Sequence, residues 1–152
     1  MQERIFDVRE YGAVADGVTL CQQAVQKAVD DCHAQGGGIV RFEGGMYVLS
    51  TIFLKSNVYI EVAKDAKILG ALSFYDYAPQ EKLDYPLYQD ASHSYFDCSL
   101  FVAKNCENIG FIGEGEIDMR SVWDEDNVRD IVHRGPKCIA LKECTNVEIS
   151  GL

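Results

Sequence analysis

Residues Phe101-Val102-Ala103-Lys104-Asn105-Cys106-Glu107-Asn108-Ile109-Gly110-Phe111-Ile112-Gly113 align without gaps on Ile139-Ala140-Leu141-Lys142-Glu143-Cys144-Thr145-Asn146-Val147-Glu148-Ile149-Ser150-Gly151. The offset is 38 residues (139 − 101). In both copies apolar and β-branched residues flank a short polar turn, so each reads as strand, Asn-bearing turn, strand. A fainter copy, Phe53-Leu54-Lys55-Ser56-Asn57-Val58-Tyr59-Ile60, stands earlier. A strand–turn unit repeated at a fixed period marks a solenoid, because one unit cannot bury its apolar face without a neighbour stacked on it. Stacking the copies places Cys106 over Cys144 and Asn108 over Asn146, with apolar residues in interior ladders. Each asparagine is expected to bond its neighbour's backbone at the bend.

Outward from the repeat, short apolar runs at 39–42, 46–49, 51–54, 58–62, 67–69, 100–103, 109–112, 138–141 and 147–149 alternate with Gly, Asn, Asp and Lys. Runs this short indicate an all-β body, and no second amphipathic helix intervenes to build βαβ units. Two stretches interrupt the rhythm and read as loop insertions: 73–97, rich in Tyr, Asp and Pro, and 118–135, which includes Trp123. Ahead of the coils, 5–8 reads as a strand and Asp16-Gly17 as a turn. Cys21, Ala24, Val25, Ala28, Val29 and Cys32 then form one apolar helical stripe over 19–35. Thr19 and Gln22 have capping-box spacing, and Gly36-Gly37-Gly38 ends the helix. The expected fold is an all-β, right-handed parallel β-helix in a single domain, 1–152. Residues 1–38 are its N-terminal strand and capping α-helix, and 39–152 its first coils, cut short on the C-terminal side.

Composition narrows the function. Twenty-four acidic against 14 basic residues leave a net charge of −10, which opposes nucleic-acid binding. The acidic residues are dispersed, as on a solvated surface. No run of 18 apolar residues occurs, so no membrane span is expected. The opening Met1 to Asp7 lacks the apolar stretch of a secretory signal, and a cytoplasmic location is the expectation. The six cysteines then read as thiols. None forms a Cys-x-x-Cys pair or takes zinc-finger spacing with His, so no metal site is expected.

Several motifs together resemble a known family. Asp7-Val8, Tyr11-Gly12-Ala13, Asp16-Gly17, Gly36-Gly37-Gly38, Val40 and Gly45-x-Tyr47 look like the start of pectate-lyase-superfamily β-helices. Thr51-Ile52-Phe53-Leu54-Lys55-Ser56-Asn57-Val58 and Asp65-Ala66-x-Ile68-Leu69-Gly70 narrow the resemblance to glycoside hydrolase family 28, the polygalacturonase family. Asn108-Ile109, Gly113-x-Gly115-x-Ile117-Asp118 and Trp123 extend it, so that it covers nearly the whole chain. The resemblance implies inverting hydrolysis of α-linked galacturonan or oligogalacturonides, without a cofactor. One carboxyl group protonates the leaving oxygen while others activate water across a gap of about 6.5–9.5 Å. The implied partner is a pectic oligosaccharide or polysaccharide.

The family's catalytic motifs are Asn-Thr-Asp, Asp-Asp, Gly-His-Gly and Arg-Ile-Lys, and none stands here on a strand. The one Asp-Asp pair, Asp30-Asp31, falls in the helix and reads as a solvated face, since adjacent helical residues do not face one cleft. No catalytic residue is therefore assigned. His33 reads as a helix C-terminal cation, His93 as part of a surface loop. Gly110-x-x-Gly113-x-Gly115 reads as strand-turn glycine, with no helix following to hold phosphate. The stretch from Arg129 to Lys137 is the most basic in the chain. One reading makes it an edge of a substrate groove, with Trp123 stacking on sugar, Arg129 or Arg134 facing a uronate carboxylate, and His133 between them. The other makes it a solvated loop with Trp123 packed on the coil. The expected function is the N-terminal portion of a pectin-degrading glycosidase, inactive as 1–152 alone. The alternatives are a binding or structural β-helix of the tail-spike kind, and a degenerate product.

Overall fold

Twelve strands and one α-helix make up the described residues, 4–79, 97–122 and 135–152, of the computed structural model. In chain order these are β1 (Ile5–Asp7), a 3-10 turn (Val8–Tyr11), β2 (Asp16–Leu20), α1 (Gln22–Ala34), β3 (Gly38–Phe42), β4 (Gly45–Leu49), β5 (Ile52–Phe53), β6 (Val58–Val62) and β7 (Ala66–Gly70). A second 3-10 turn (Phe74–Asp76), β8 (Ser99–Lys104), β9 (Glu107–Gly113), β10 (Glu116–Asp118), β11 (Lys137–Lys142) and β12 (Thr145–Ser150) follow. They form three sheets, β1-β3-β6-β9-β12, β2-β4-β7-β10 and β5-β8-β11. Every pairing is parallel. The chain visits the sheets in the same order on each circuit, so the architecture is a parallel β-helix.

The 38-residue period is the coil register itself: Ile139 pairs with Phe101 and Val147 with Ile109. The fainter copy also stacks, at a changing offset. Phe53 pairs with Val102, 49 residues on (102 − 53), and Tyr59 with Gly110, 51 residues on (110 − 59). The path from Phe53 to Tyr59 is thus two residues shorter than the path from Val102 to Gly110 stacked on it. Strand alternation then sorts the apolar residues inward. Val40, Ile60 and Phe111 form one interior ladder and Ile52 lies under Phe101, all fully buried. Phe101 meets Phe111 edge-on at 5.2 Å across the interior. Each such side chain contributes about 1.5–3 kcal/mol of burial free energy.

The asparagine turns are built differently from the expectation. Asn57, Asn108 and Asn146 are all left-handed, at φ 69, 55 and 56°. Asn146 donates from Nδ2 to Asn108 Oδ1 (2.7 Å), and Asn108 donates to Asn57 Oδ1 (3.1 Å). The bonds join side chain to side chain, not side chain to backbone. Identical conformations in adjacent coils bring amide over amide, and each amide carries both donor and acceptor. Beside this ladder the Cys106 thiol donates to the Leu54 carbonyl (3.5 Å) and Cys144 to that of Ala103 (3.4 Å). All six cysteines are free thiols.

The helix begins later than its apparent capping box suggests. Thr19 lies in β2, and its hydroxyl donates to Asp16 Oδ2 (2.6 Å). Asp16 Oδ1 accepts the N–H groups of Val18 (2.9 Å) and Thr19 (2.7 Å). The nearby carboxylate is the stronger acceptor, and Cys21 becomes an N-cap with no side-chain bond. Gly17, at φ 72°, sits in a bulged strand rather than a free turn. The glycine stop holds: Gly36 N–H reaches His33 O (3.1 Å) and Gly37 N–H reaches Cys32 O (2.8 Å), the paired bonds of a Schellman motif. Val25, Ala28, Val29 and Cys32 bury one face of α1. Its side chains also close the edge strand of the third sheet. The Gln26 amide donates to Phe53 O (2.9 Å) and accepts from Phe53 N–H (2.8 Å), Gln22 donates to Thr51 O (3.2 Å), and His33 Nδ1 meets Ser56 O (2.9 Å).

Candidate functional site

The chain passes from the second sheet to the third at one corner of the coil. Between β4 and β5 only Ser50 and Thr51 make that passage. In the next two coils 71–98 and 119–136 intervene, so both expected insertions leave the scaffold at the same corner. Stacked insertions on one corner are how solenoids build a binding face. Buried Thr51 fastens the first: its hydroxyl accepts from Ala78 N–H (2.8 Å) and donates to Asp97 O (3.4 Å). The described ends of the second lie against each other. A Cβ on Gly135 would stand 2.1 Å from Val122 O, so the approach requires glycine there.

Gly70, at the end of β7, organises the space between the insertions. The Tyr77 hydroxyl donates to Ala71 O (2.9 Å) and lies 2.7 Å from where a Cβ of residue 70 would be. Met119 closes the other side, its Cα 3.3 Å from that point. Burial pushes the Tyr77 hydroxyl well above the usual phenol range. Arg120 Nε donates to Gly70 O (2.8 Å) and Arg120 N–H to Asp118 Oδ1 (2.7 Å). Arg120 and Ser121 are consecutive left-handed residues, at φ 56 and 54°. Such a conformation costs a non-glycine residue about 1–2 kcal/mol, so neighbouring bonds must hold it.

The corner between the first and second sheets carries an open depression of ≈460 Å3, lined by Met46, Lys64, Asp65, Lys67, Glu114 and Glu116 among others. Lys67 bridges Glu116 (3.1 Å) and Asp118 (3.5 Å), and Asp65 accepts Gly44 N–H (3.1 Å). Signs alternate there and the charges offset one another, as on a solvated edge.

Among the described residues, every carboxyl group with a resolved shift is displaced downward. The Arg9 guanidinium lowers Asp7, the Thr19 hydroxyl lowers Asp16 to about 2, the Tyr11 hydroxyl lowers Asp31, and the Arg120 N–H lowers Asp118. A glycosidase general acid requires the opposite displacement. These carboxylates are structural anions. The helical pair belongs with them: Asp30 bridges Lys55 (2.9 Å), and Asp31 accepts from Tyr11 and from Gln35 Nε2 (2.9 Å). Each is engaged by its own side-chain partners rather than simply solvated. No group of three potential metal ligands occurs among the described residues.

Trp123, Arg129, His133 and Arg134, like His93, lie outside the described residues. Arg120 was not singled out from the sequence. Its partner Gly70 is 50 residues away, and only stacking Asp118 on Leu69 would have brought the two together.

No family model matches the chain. The exo-poly-α-D-galacturonosidase of Dickeya chrysanthemi is 28% identical over 118 residues, 76% of this chain and 19% of that protein. The plasmin and fibronectin-binding protein A of Streptococcus pneumoniae is 38% identical over 74 residues, 47% of this chain and 10% of that protein. Among solved structures, a "putative glycosyl hydrolase" from Parabacteroides merdae superposes with a TM-score of 0.79 at 28% identity, covering 97% of this chain and 63% of that one. A family 28 exopolygalacturonase from Yersinia enterocolitica superposes with a TM-score of 0.74 at 23% identity, covering 99% and 34%, a likeness of fold. The chain thus spans a fifth or less of those two curated relatives. A curated exo-poly-α-D-galacturonosidase and, in fold, a family 28 exopolygalacturonase are thus among the proteins this chain resembles.

Proposed function

We propose that these 152 residues are the opening coils of a pectin-degrading glycoside hydrolase that cleaves α-linked galacturonan or oligogalacturonides with inversion. The likeness to an exo-poly-α-D-galacturonosidase over 118 residues carries this reading. The shared corner of the two insertions supports it, because a polymeric substrate needs an extended edge that successive coils supply. None of the four catalytic motifs of the family stands on a strand here, the one Asp-Asp pair lying in α1, so residues 1–152 are assigned the scaffold and a share of the substrate edge. On this reading no cofactor takes part, and nucleic acid and membranes are not partners.

A second reading, a β-helix adhesin, rests on the 38% identity over 74 residues with the plasmin and fibronectin-binding protein A. Calorimetric titration of the complete gene product separates the two. The hydrolase reading expects saturable binding of oligogalacturonides and none of fibronectin. Fibronectin binding with no response to oligogalacturonides would replace it with the adhesin reading. Residues 1–152 alone are expected to release no reducing ends from polygalacturonate.

A further inference from the structure

Two of the arginines among the described residues are committed to carboxylates. Arg9 bridges Asp7 and Glu43 (3.0 Å), and Arg41 pairs with Glu61. A third, Arg4, spends its guanidinium on the carbonyl and side-chain oxygens of Gln35 (both 3.2 Å). Arg120 differs. Its Nε is tied to Gly70 O, and its backbone N–H to Asp118. Its two terminal nitrogens have no partner among the described residues, and no carboxylate there pairs with the group. Asp118 is near enough to feel the Arg120 charge, but its carboxylate takes the backbone N–H and bridges Lys67 rather than the guanidinium fork.

The residue is also held. Stacked strands fix Asp118 over Leu69, and Asp118 then takes the Arg120 N–H. Gly70 O anchors the base of the fork, on the same glycine against which Tyr77 and Met119 pack. A side chain fixed at Nε loses little further freedom when its terminal nitrogens engage a ligand, and a guanidinium fork matches a planar carboxylate bidentately.

We propose that Arg120 binds the carboxylate of a uronic acid unit at the corner from which both insertions leave. This deepens the hydrolase reading and rests on it. Arg120 is thereby a specificity-determining residue: it favours free uronate over the methyl ester, which offers no anion.

Arg120→Gly is the variant of choice, since glycine adopts φ 56° without steric cost. Binding of trigalacturonate and of its fully methyl-esterified form is titrated with the complete gene product, beside a thermal melt. Loss of one charge-assisted bidentate contact should weaken trigalacturonate about tenfold or more and leave the methyl ester unchanged. Arg120→Lys should recover only part of the loss, and raised salt should shrink the wild-type preference. Equal weakening of both ligands, or no change in either, would overturn the inference while the hydrolase reading stands. If the wild type bound neither ligand, the hydrolase reading itself would fall, and the inference with it.

Discussion

Asn108 holds a left-handed conformation while its amide donates to Asn57 and accepts from Asn146. Replacing it with Ala removes both ladder bonds and leaves a Cβ in a conformation alanine disfavours, a loss of about 2 kcal/mol. Asn108→Gly removes only the bonds and should cost about half as much. Urea unfolding of the pair separates the two contributions, and equal losses would mean that the conformation contributes nothing. The stacking was legible from the 38-residue offset, but the bonding partner was not, because partner choice depends on a backbone conformation that spacing does not encode. Two tyrosines contribute to the loss of stability in alkali, alongside Tyr47 and the thiols that burial also displaces upward. Burial, then the bond to Asp31, pushes Tyr11 up to about 12, and burial raises Tyr77 further. Unfolded tyrosines ionise near about pH 10, so above that pH the unfolded state has shed protons that the folded state keeps. Their contribution is full below about pH 10 and falls as pH rises towards 12. The urea midpoint should drop over that interval, less so in Tyr11→Phe, and a level midpoint would contradict it.

At the scale of elements, α1 illustrates how one face can be read and another missed. Its apolar stripe was legible because 3.6-residue periodicity is local. Its polar work was not, because Gln22, Gln26 and His33 bond carbonyls and an N–H of a strand that only the coil brings alongside. β2 escaped for a related reason: Gly17 bulges the strand, and Thr19 and Gln22 imitate a capping box that the Asp16 carboxylate pre-empts. The Gln26 amide is the best single test of the cap. Gln26→Ala leaves both backbone groups of Phe53 without their partner and should cost about 1–2 kcal/mol. Hydrogen exchange at the Phe53 amide should speed up selectively. Unchanged exchange there would mean that the helix shields the edge by bulk alone.

At the scale of the whole molecule, the two ends of the coil are unlike. The N-terminal end is closed by α1 and blunted on β2 by Asp16, which occupies the N–H groups of Val18 and Thr19. At the other, β10, β11 and β12 are the outer strands of their sheets, and Val147, Ile149 and Leu152 are 37, 57 and 42% exposed. Open strand edges beside apolar side chains pair readily with another chain. A polypeptide of residues 1–152 should therefore associate with rising concentration in sedimentation experiments, and Ile149→Lys should shift it towards monomer. The solenoid was legible because its period is written in the sequence, whereas the site was not, because it is assembled from residues separated by whole coils. The account stands most directly on the stereochemistry of turnover. Proton NMR of an oligogalacturonide mixed with the complete gene product should show the β-anomer of the first product before mutarotation, as inversion of an α-linkage requires. First appearance of the α-anomer, or no release of product at all, would contradict it.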